Sequence, residues 1–367
     1  MTNSCEPQLP SGLSYHRSNP AEYEGMKAHA GHYNQVKLPK YSKSPSGKKI
    51  RKGFRTISIP NNQLMSLQSE FSPALESLGV GIHPAAHAYR RSRGICTMAK
   101  KHVGKKFVLR VDLKDCFPSI TFDMVNKALP ANTPMKLRSM IRDFAFLDGG
   151  LPQGAPSSPL LSNLALYDLD VSLQRLADKW RFMGVAKRGS YPIRLTRMQP
   201  ITYTRYCDDL VFSSDYRYLT HIIPKVRRLI WDYGLKVNEK KIIHSKYSSR
   251  QYVTGVVVNE KMSAPRAMRR FLRSEMHRIT MDVVFGRSPK MHRVSSSGEL
   301  ADLNPDKPDY PFDVFRGKVA HVKHINPEQG AKLESLLNIM IEVHTVDQDH
   351  WSDATSEYTR KRKDTSK

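Results

Sequence analysis

Acidic residues are scarce in this chain. Against 59 Lys and Arg stand only 34 Asp and Glu, which leaves a formal charge of +25 over 367 residues. A compact domain at that charge repels itself unless a polyanion relieves it. Nucleic acid, which releases a counterion for each phosphate neutralised, is the natural one. An anionic membrane surface is the competing partner. Long apolar runs are missing as well. No stretch of about 18 apolar residues occurs, so no helix is expected to span a bilayer and no membrane partner is expected. The first 30 residues are polar, with Pro, Gly and charge, unlike a secretory signal. Cysteine is sparse and scattered at Cys5, Cys96, Cys116 and Cys207, with no CxxC and no Cys–His pair at zinc spacing. That excludes a disulfide framework and a structural zinc, and it suits a reducing cytoplasm. No internal repeat is present. What is there is 39% apolar residues, enough for two or three packed subdomains with a shared core.

Along the chain, residues 1–32 show no periodicity and read as a loose N-terminal extension. Residues 36–60 alternate apolar and basic side chains around a loop at 41–53 rich in Ser, Pro, Gly and Lys, which predicts a basic hairpin. Leu64, Leu67, Phe71, Leu75 and Leu78 fall at helical spacing over 62–78. Residues 107–111 form a short apolar strand that runs into Asp112 and Asp115. Residues 159–176 have helical periodicity, with Ser157 and Ser158 to cap the start and Pro159 in the first turn. Residues 178–200 are basic and patternless, an inserted loop. Two strands around a tight turn are expected over 202–213. An amphipathic helix follows at 218–233, then a strand at 251–258 and a strongly basic helix at 262–285. A polar linker over 288–311 precedes a last helix at 326–344. Strands and helices intermix without strict βαβ alternation, which predicts an α+β fold.

The sharpest feature is Tyr206-Cys207-Asp208-Asp209 between two apolar, strand-like runs. Two carboxylates about 4 Å apart repel by roughly 4 kcal/mol at an effective dielectric near 20. Alone, an Asp-Asp at a turn is ordinary turn chemistry. A third carboxylate, Asp112, ends the earlier strand, and if the hairpin lies beside that strand the three converge. Oxygen-rich clusters of this kind bind Mg²⁺. Two such ions about 3.5–4 Å apart stabilise the attacking and leaving oxygens of an in-line displacement at phosphorus.

The segment "YTRYCDDLVFS" resembles the YxDD box of reverse transcriptases. "VLRVDLKDCFPSI" resembles the first palm motif of that family, "LPQGAPSSPLLSNLAL" its second and "GLKVNEKK" its fourth, all in the family's order across roughly residues 33–258. Within the family the chain is most similar to the bacterial retron branch. Val253-Thr254-Gly255 resembles the retron VTG signature, and Ala99 and His102 fit its Asn-Ala-x-x-His motif. Met98 stands where the Asn is usual, and Gly94 where Ser is common.

The resemblance implies a right-hand polymerase. Its fingers would cover 33–111 and its palm, an antiparallel sheet with helices, 112–258 with the insertion at 178–200. A basic helical thumb would cover 259–346, and a polar basic tail 347–367. It implies two Mg²⁺ ions, with Mn²⁺ as a substitute, held by Asp112, Asp208 and Asp209. Phe117 would sit under the incoming sugar and exclude a 2′-hydroxyl, so that dNTPs are preferred. Gln153, Gly154 and Ala155 would form the nucleotide-contacting turn, where Gly154 allows close backbone approach. Lys40 and Arg55 would grip the triphosphate. Arg55 can fork onto phosphate as Lys cannot, and Lys37, Lys43, Lys48, Lys49 and Lys52 compete with Lys40 for its role. Lys241, or Lys240 in the adjacent register, would protonate the leaving pyrophosphate. His102, Val253, Thr254 and Gly255 would face a structured RNA. Arg266, Arg269, Arg270, Arg273 and Arg278, at near-helical spacing, suit the phosphates of a duplex or RNA stem. Retron membership further implies the enzyme's own noncoding RNA as template. Priming would be from an internal guanosine 2′-hydroxyl, the product a branched RNA–DNA molecule, and the role phage defence beside a separate effector protein. The alternatives are a reverse transcriptase of a defence-associated or intron-derived lineage, and a non-catalytic RNA-binding scaffold on the same fold.

Overall fold

The computed structural model describes residues 32–43, 49–180, 185–188, 191–194, 201–215, 219–285, 292–294, 300–302 and 310–343. Residues 1–31 of the expected extension, the whole expected tail and most of the expected linker lie outside these. The chain forms two compact units, Met1–Ser249 and Arg250–Lys367.

The first unit opens with the expected hairpin, β1 (Tyr33–Lys43) antiparallel to β2 (Lys49–Pro60). The helix Asn62–Ser77 follows at once, because the Asn61 side chain accepts the Leu64 N–H at 2.9 Å. Leu64, Leu67, Phe71 and Leu75 form its buried stripe. Within that stripe the buried Gln68 amide donates to Tyr33 Oη and to the Phe144 carbonyl, tying the helix to β1 and to the helix Met135–Phe144.

The remaining strands of this unit are β3 (Phe107–Asp112), β4 (Val185–Arg188), β5 (Tyr191–Arg194), β6 (Thr202–Tyr206), β7 (Asp209–Ser214) and β8 (Ile243–Lys246). Four of them make one antiparallel sheet in the order β6-β7-β3-β8. Both of its faces are covered. Leu109, Val111, Leu210 and Phe212 belong to the main core, while Val108, Val211 and Ser213, one residue out of phase, are buried on the other side. Met98, Ala99 and His102, in and just beyond the short helix Ile95–Lys100, are buried as well.

Several expectations change in detail. The helix expected at 159–176 is two helices, Ser158–Ala165 and Tyr167–Trp180. Neither serine caps the first by its side chain. The Ser158 hydroxyl donates to the Pro152 carbonyl, and the buried Ser157 hydroxyl has no partner among the described residues. The stretch expected to be patternless contains the β4–β5 hairpin. The helix expected at 218–233 begins as a 3-10 turn, Leu219–Ile222, and becomes α-helical over Ile223–Asp232.

In the second unit the strand expected at 251–258 is a small hairpin. β9 (Tyr252–Val253) pairs with β10 (Val256–Val257) around Thr254-Gly255, at φ 46° and 83°. Such a two-residue loop needs the left-handed region, which Gly255 accepts freely and the β-branched Thr254 does not. The basic helix is Arg266–Val284, with Leu272, Met276, Ile279 and Val283 as its buried stripe. β11 (His292–Val294) and β12 (Leu300–Asp302) pair within the expected linker. A helix that the periodicity reading did not include, Tyr310–Ile325, precedes one over residues 327–343. A Cβ at Gly330 would lie 2.2 Å from Lys323 Cα, so only glycine lets these two helices approach so closely.

Candidate functional site

The β6–β7 turn carries the site. Cys207 sits at φ 56°, a left-handed conformation that costs a non-glycine residue about 1–3 kcal/mol and must be held in place. The chain holds it from beneath with a buried polar layer. Arg205, fully buried, donates Nε and Nη2 to the Asp170 carboxylate and Nη1 to the Asn163 amide oxygen and the Cys207 carbonyl. Tyr203 donates its hydroxyl to Asp170 at 2.6 Å. The turn is therefore pinned through a carbonyl by a charge that is itself fully paired.

On the pocket side, β3 and β7 are in register so that Asp112 pairs with Asp209, and the Leu113 N–H donates to the Asp208 carbonyl at 2.9 Å. The convergence expected from sequence is what this register produces. Asp112 is buried, and Lys241 Nζ donates to its Oδ1 at 2.7 Å while Asn238 Nδ2 donates to Oδ2 at 3.0 Å. Of the two lysines left open by the sequence, Lys241 reaches the cluster. Burial pushes the Asp209 carboxyl up to about 6, and the neighbouring Asp208 and Asp112 charges push the same way. Among the described residues, Arg110 and Lys241 are the cations that oppose this shift, so three carboxylates face fewer positive charges than negative ones. Their all-oxygen donor set fits a hard divalent ion, although among the described residues no three His, Cys, Asp or Glu side chains form a ready-made cation site.

These groups line a cavity of about 780 Å³ together with Arg55, Phe117, Gln153 and Gly154. The Ser58 N–H donates to the Gln153 carbonyl at 2.7 Å, so β2 is docked on the 152–156 loop. A Cβ on Gly154, at φ 118°, would lie 2.8 Å from the Ser58 carbonyl, so this glycine lets the hairpin close on the loop. Lys40 lies in β1 opposite Gly53.

The remaining expected positions are placed differently. His102 is fully buried, with Nδ1 2.7 Å from the Ser213 hydroxyl and Nε2 2.7 Å from that of Thr204. Burial and the nearby His87 and Lys105 charges lower its pKa to about 3, so it is neutral and offers no surface to an RNA. Met98, four residues earlier, is buried as well. Val253 is buried too, and it is Thr254 and Gly255 that occupy the loop. Arg266, Arg270 and Arg273 are exposed, Arg269 donates to the Ala264 carbonyl, and Arg278 is paired with Glu275 and Asp282. Sequence reasoning did not single out Asn238, Asp170, Arg205 or Asn163. Asn238, Asn163 and Arg205 stand inside the fourth, second and YxDD segments, and Asp170 alone lies outside every motif; none shows its role until the fold brings them together.

A two-faced antiparallel sheet that presents clustered carboxylates to a nucleotide-sized cavity, beside a basic hairpin, defines an α+β polymerase-like palm. The family model described as reverse transcriptase (RNA-dependent DNA polymerase) matches residues 39–258. The chain belongs to that family, and within it to the retron type. It is 31% identical to the retron Mx65 reverse transcriptase of Myxococcus xanthus over 77% of this chain and 60% of that protein. It is 30% identical to the retron Mx162 reverse transcriptase of the same organism, over 68% and 53%. With the retron Ec86 reverse transcriptase of Escherichia coli it is 31% identical, over 62% and 66%. The chain thus spans between about half and two thirds of the length of these relatives. No helix among the described residues is long and apolar enough to cross a membrane.

Proposed function

We propose that the protein is the RNA-directed DNA polymerase of a retron. It copies part of a structured noncoding RNA into single-stranded DNA joined to that RNA, in the cytoplasm of a bacterium, for antiphage defence beside a separate effector. The observation that supports this most is the cross-strand pairing of Asp112 with Asp209 at the floor of the cavity that Arg55, Phe117 and Gln153 also line. Asp112 and Asp208, with Asp209 in support, would hold two Mg²⁺ ions (or Mn²⁺), which supply charge stabilisation at the attacking and leaving oxygens. Arg55 forks onto the triphosphate of a dNTP, with Lys40 on the facing strand as its partner. Phe117 lies under the sugar, where an apolar ring leaves a 2′-hydroxyl neither room nor a hydrogen bond. The backbone at Gln153 and Gly154 orients the nucleotide. Lys241 holds a proton at Nζ beside Asp112 and gives it to the departing pyrophosphate. In the second unit, Thr254 and Gly255 meet the structured RNA, and Arg266, Arg269, Arg270 and Arg273 take phosphates.

The test is to purify the protein from cells that carry its native flanking DNA and treat the bound nucleic acid with RNase, DNase and a 2′–5′ debranching enzyme. A discrete DNA that survives RNase and shifts on debranching is expected. Bound RNA without DNA, in a preparation that still extends an added primer on RNA, would keep the polymerase and remove the retron role. Failure to polymerise dNTPs on any primed RNA would remove both.

A further inference from the structure

We propose that Tyr89 is a specificity-determining residue of the same pocket, the second wall of the sugar gate. This rests on the polymerase reading above and adds to it a residue that no motif marks. Tyr89 lines the cavity. Its ring stands edge-on to Phe117, with centroids 6.3 Å apart and planes at 87°. A lone aromatic gate yields by turning about its own side-chain bonds when a 2′-hydroxyl presses on it. A second ring set against it removes that freedom.

The opposite flank has no slack either. The Leu151 N–H donates to the Phe117 carbonyl at 3.0 Å, and a Cβ on Gly150 would lie 2.2 Å from the Pro118 carbonyl oxygen. The backbone that carries the gate is therefore fixed, and what remains adjustable is the ring that Tyr89 meets.

Tyr89 is held there against its own preference. Its φ is 55°, which a ring-bearing residue adopts only when its surroundings impose it, and half of its surface stays exposed. The preceding segment is clamped to β6: the Arg205 N–H donates to the Ala85 carbonyl at 2.7 Å, and the His87 N–H to the Arg205 carbonyl at 2.8 Å. Asn163 Nδ2 donates to the Ala88 carbonyl at 3.0 Å. The Tyr89 hydroxyl donates to Cys207 Sγ at 3.5 Å. The layer that pins the catalytic turn thus also sets Tyr89 over it, so the gate and the carboxylates share one support.

The experiment compares kcat/KM for a dNTP and the matching rNTP, added to a DNA primer on an RNA template with Mg²⁺. Tyr89→Asn and Tyr89→Gly both tolerate the left-handed backbone, so they remove the ring without forcing the turn. In each, the dNTP/rNTP ratio should fall by about two- to tenfold, the scale of one edge-to-face aromatic pair. Tyr89→Phe keeps the ring and should keep the ratio, and Phe117→Ala should lower it further. If wild type prefers dNTPs and Tyr89→Asn and Tyr89→Gly keep its ratio while Phe117→Ala loses it, Phe117 is the whole gate and the inference is wrong. A Tyr89→Phe ratio as low as that of Tyr89→Asn also overturns it, because the hydroxyl rather than the ring would then set the gate. Wild-type protein that incorporates no dNTP overturns the polymerase reading and this inference with it.

Discussion

Two sets of carboxylates lie on either side of one turn, and the chain treats them in opposite ways. Beneath Cys207, Asp170 is fully buried and receives a bidentate guanidinium and a phenol, at distances of 2.6–3.1 Å. A buried charge satisfied this completely is a fixed structural part. Above the turn, among Asp112, Asp208 and Asp209, Lys241 bonds Asp112 alone, and Asp209 is pushed up to about 6 by burial and by its two acidic neighbours, against the opposing charges of Arg110 and Lys241. The lesson is in where the chain places its positive charge. Arg205 goes to the carboxylate that positions the turn, and the carboxylates that face the cavity are left short, so that a cation from outside can complete them.

The largest expected effect breaks the upper set. Asp208→Asn with Asp209→Asn should lower DNA synthesis by at least about ten-thousandfold, as removal of a group that acts as a unit does. Thermal stability should stay level or rise, because like-charge repulsion is relieved. Primer extension and a melting curve on the same preparation check both halves. Near-normal synthesis would remove these residues from the active site.

Breaking the lower set should do the reverse. Arg205→Met leaves Asp170 buried and unpaired and should cost about 3–5 kcal/mol in denaturant unfolding. Arg205→Met combined with Asp170→Leu removes both charges and should recover part of that loss. If the double variant is no more stable than the single, Arg205 and Asp170 do not act as an isolated buried pair.

A third test uses groups that the fold keeps uncharged. Burial lowers the pKa of His87 to about 4 and that of His102 to about 3. Between these values and the unfolded value near 6.5, the unfolded chain binds more protons than the folded one. Stability is therefore full above pH 6.5 and falls as pH drops toward 4, by up to about 1.4 kcal/mol per pH unit for each histidine. His102→Asn should flatten part of that slope in a series of unfolding curves, even though it weakens the fold at pH 7. An unchanged slope would mean that His102 is already charged or exposed.

How much of this was legible in the sequence follows from the range of each interaction. The β6–β7 turn, the basic hairpin and the helix at Asn62 announce themselves through neighbours two to four residues apart. Asp112 and the Asp208–Asp209 pair were legible because each ends an apolar run. Arg205 was not, although it stands one residue before Tyr206, because a basic residue in a strand looks the same whether it is exposed or paired with Asp170, 35 residues away. Tyr89 was hidden for a related reason: its left-handed backbone leaves no periodic trace. His102 shows the opposite error. The family resemblance turned this histidine toward RNA, and only the bonds of its ring to Thr204 and Ser213 show it to be interior.

The smallest effect extends the comparison to arginines. Arg205 is buried and all its polar contacts are internal, so its loss is expected to be felt as unfolding. On the helix Arg266–Val284, Arg270 and Arg273 are exposed, whereas Arg278 is held by Glu275 at 3.0 Å and Asp282 at 2.8 Å. An exposed arginine on a phosphate contributes through counterion release, a diffuse and roughly additive effect. Arg270→Ala or Arg273→Ala should each reduce the slope of log affinity for RNA against log salt by about one and weaken binding to all RNA sequences alike. Arg278→Ala should leave that slope unchanged, since its charge is already neutralised within the helix, and should instead lower stability by less than about 1 kcal/mol. Binding curves at three salt concentrations separate the two cases. If Arg278→Ala lowers the slope as much as Arg270→Ala does, the intrahelical pairs give way to RNA, and the division between arginines that hold the fold and arginines that hold a polyanion fails on this helix.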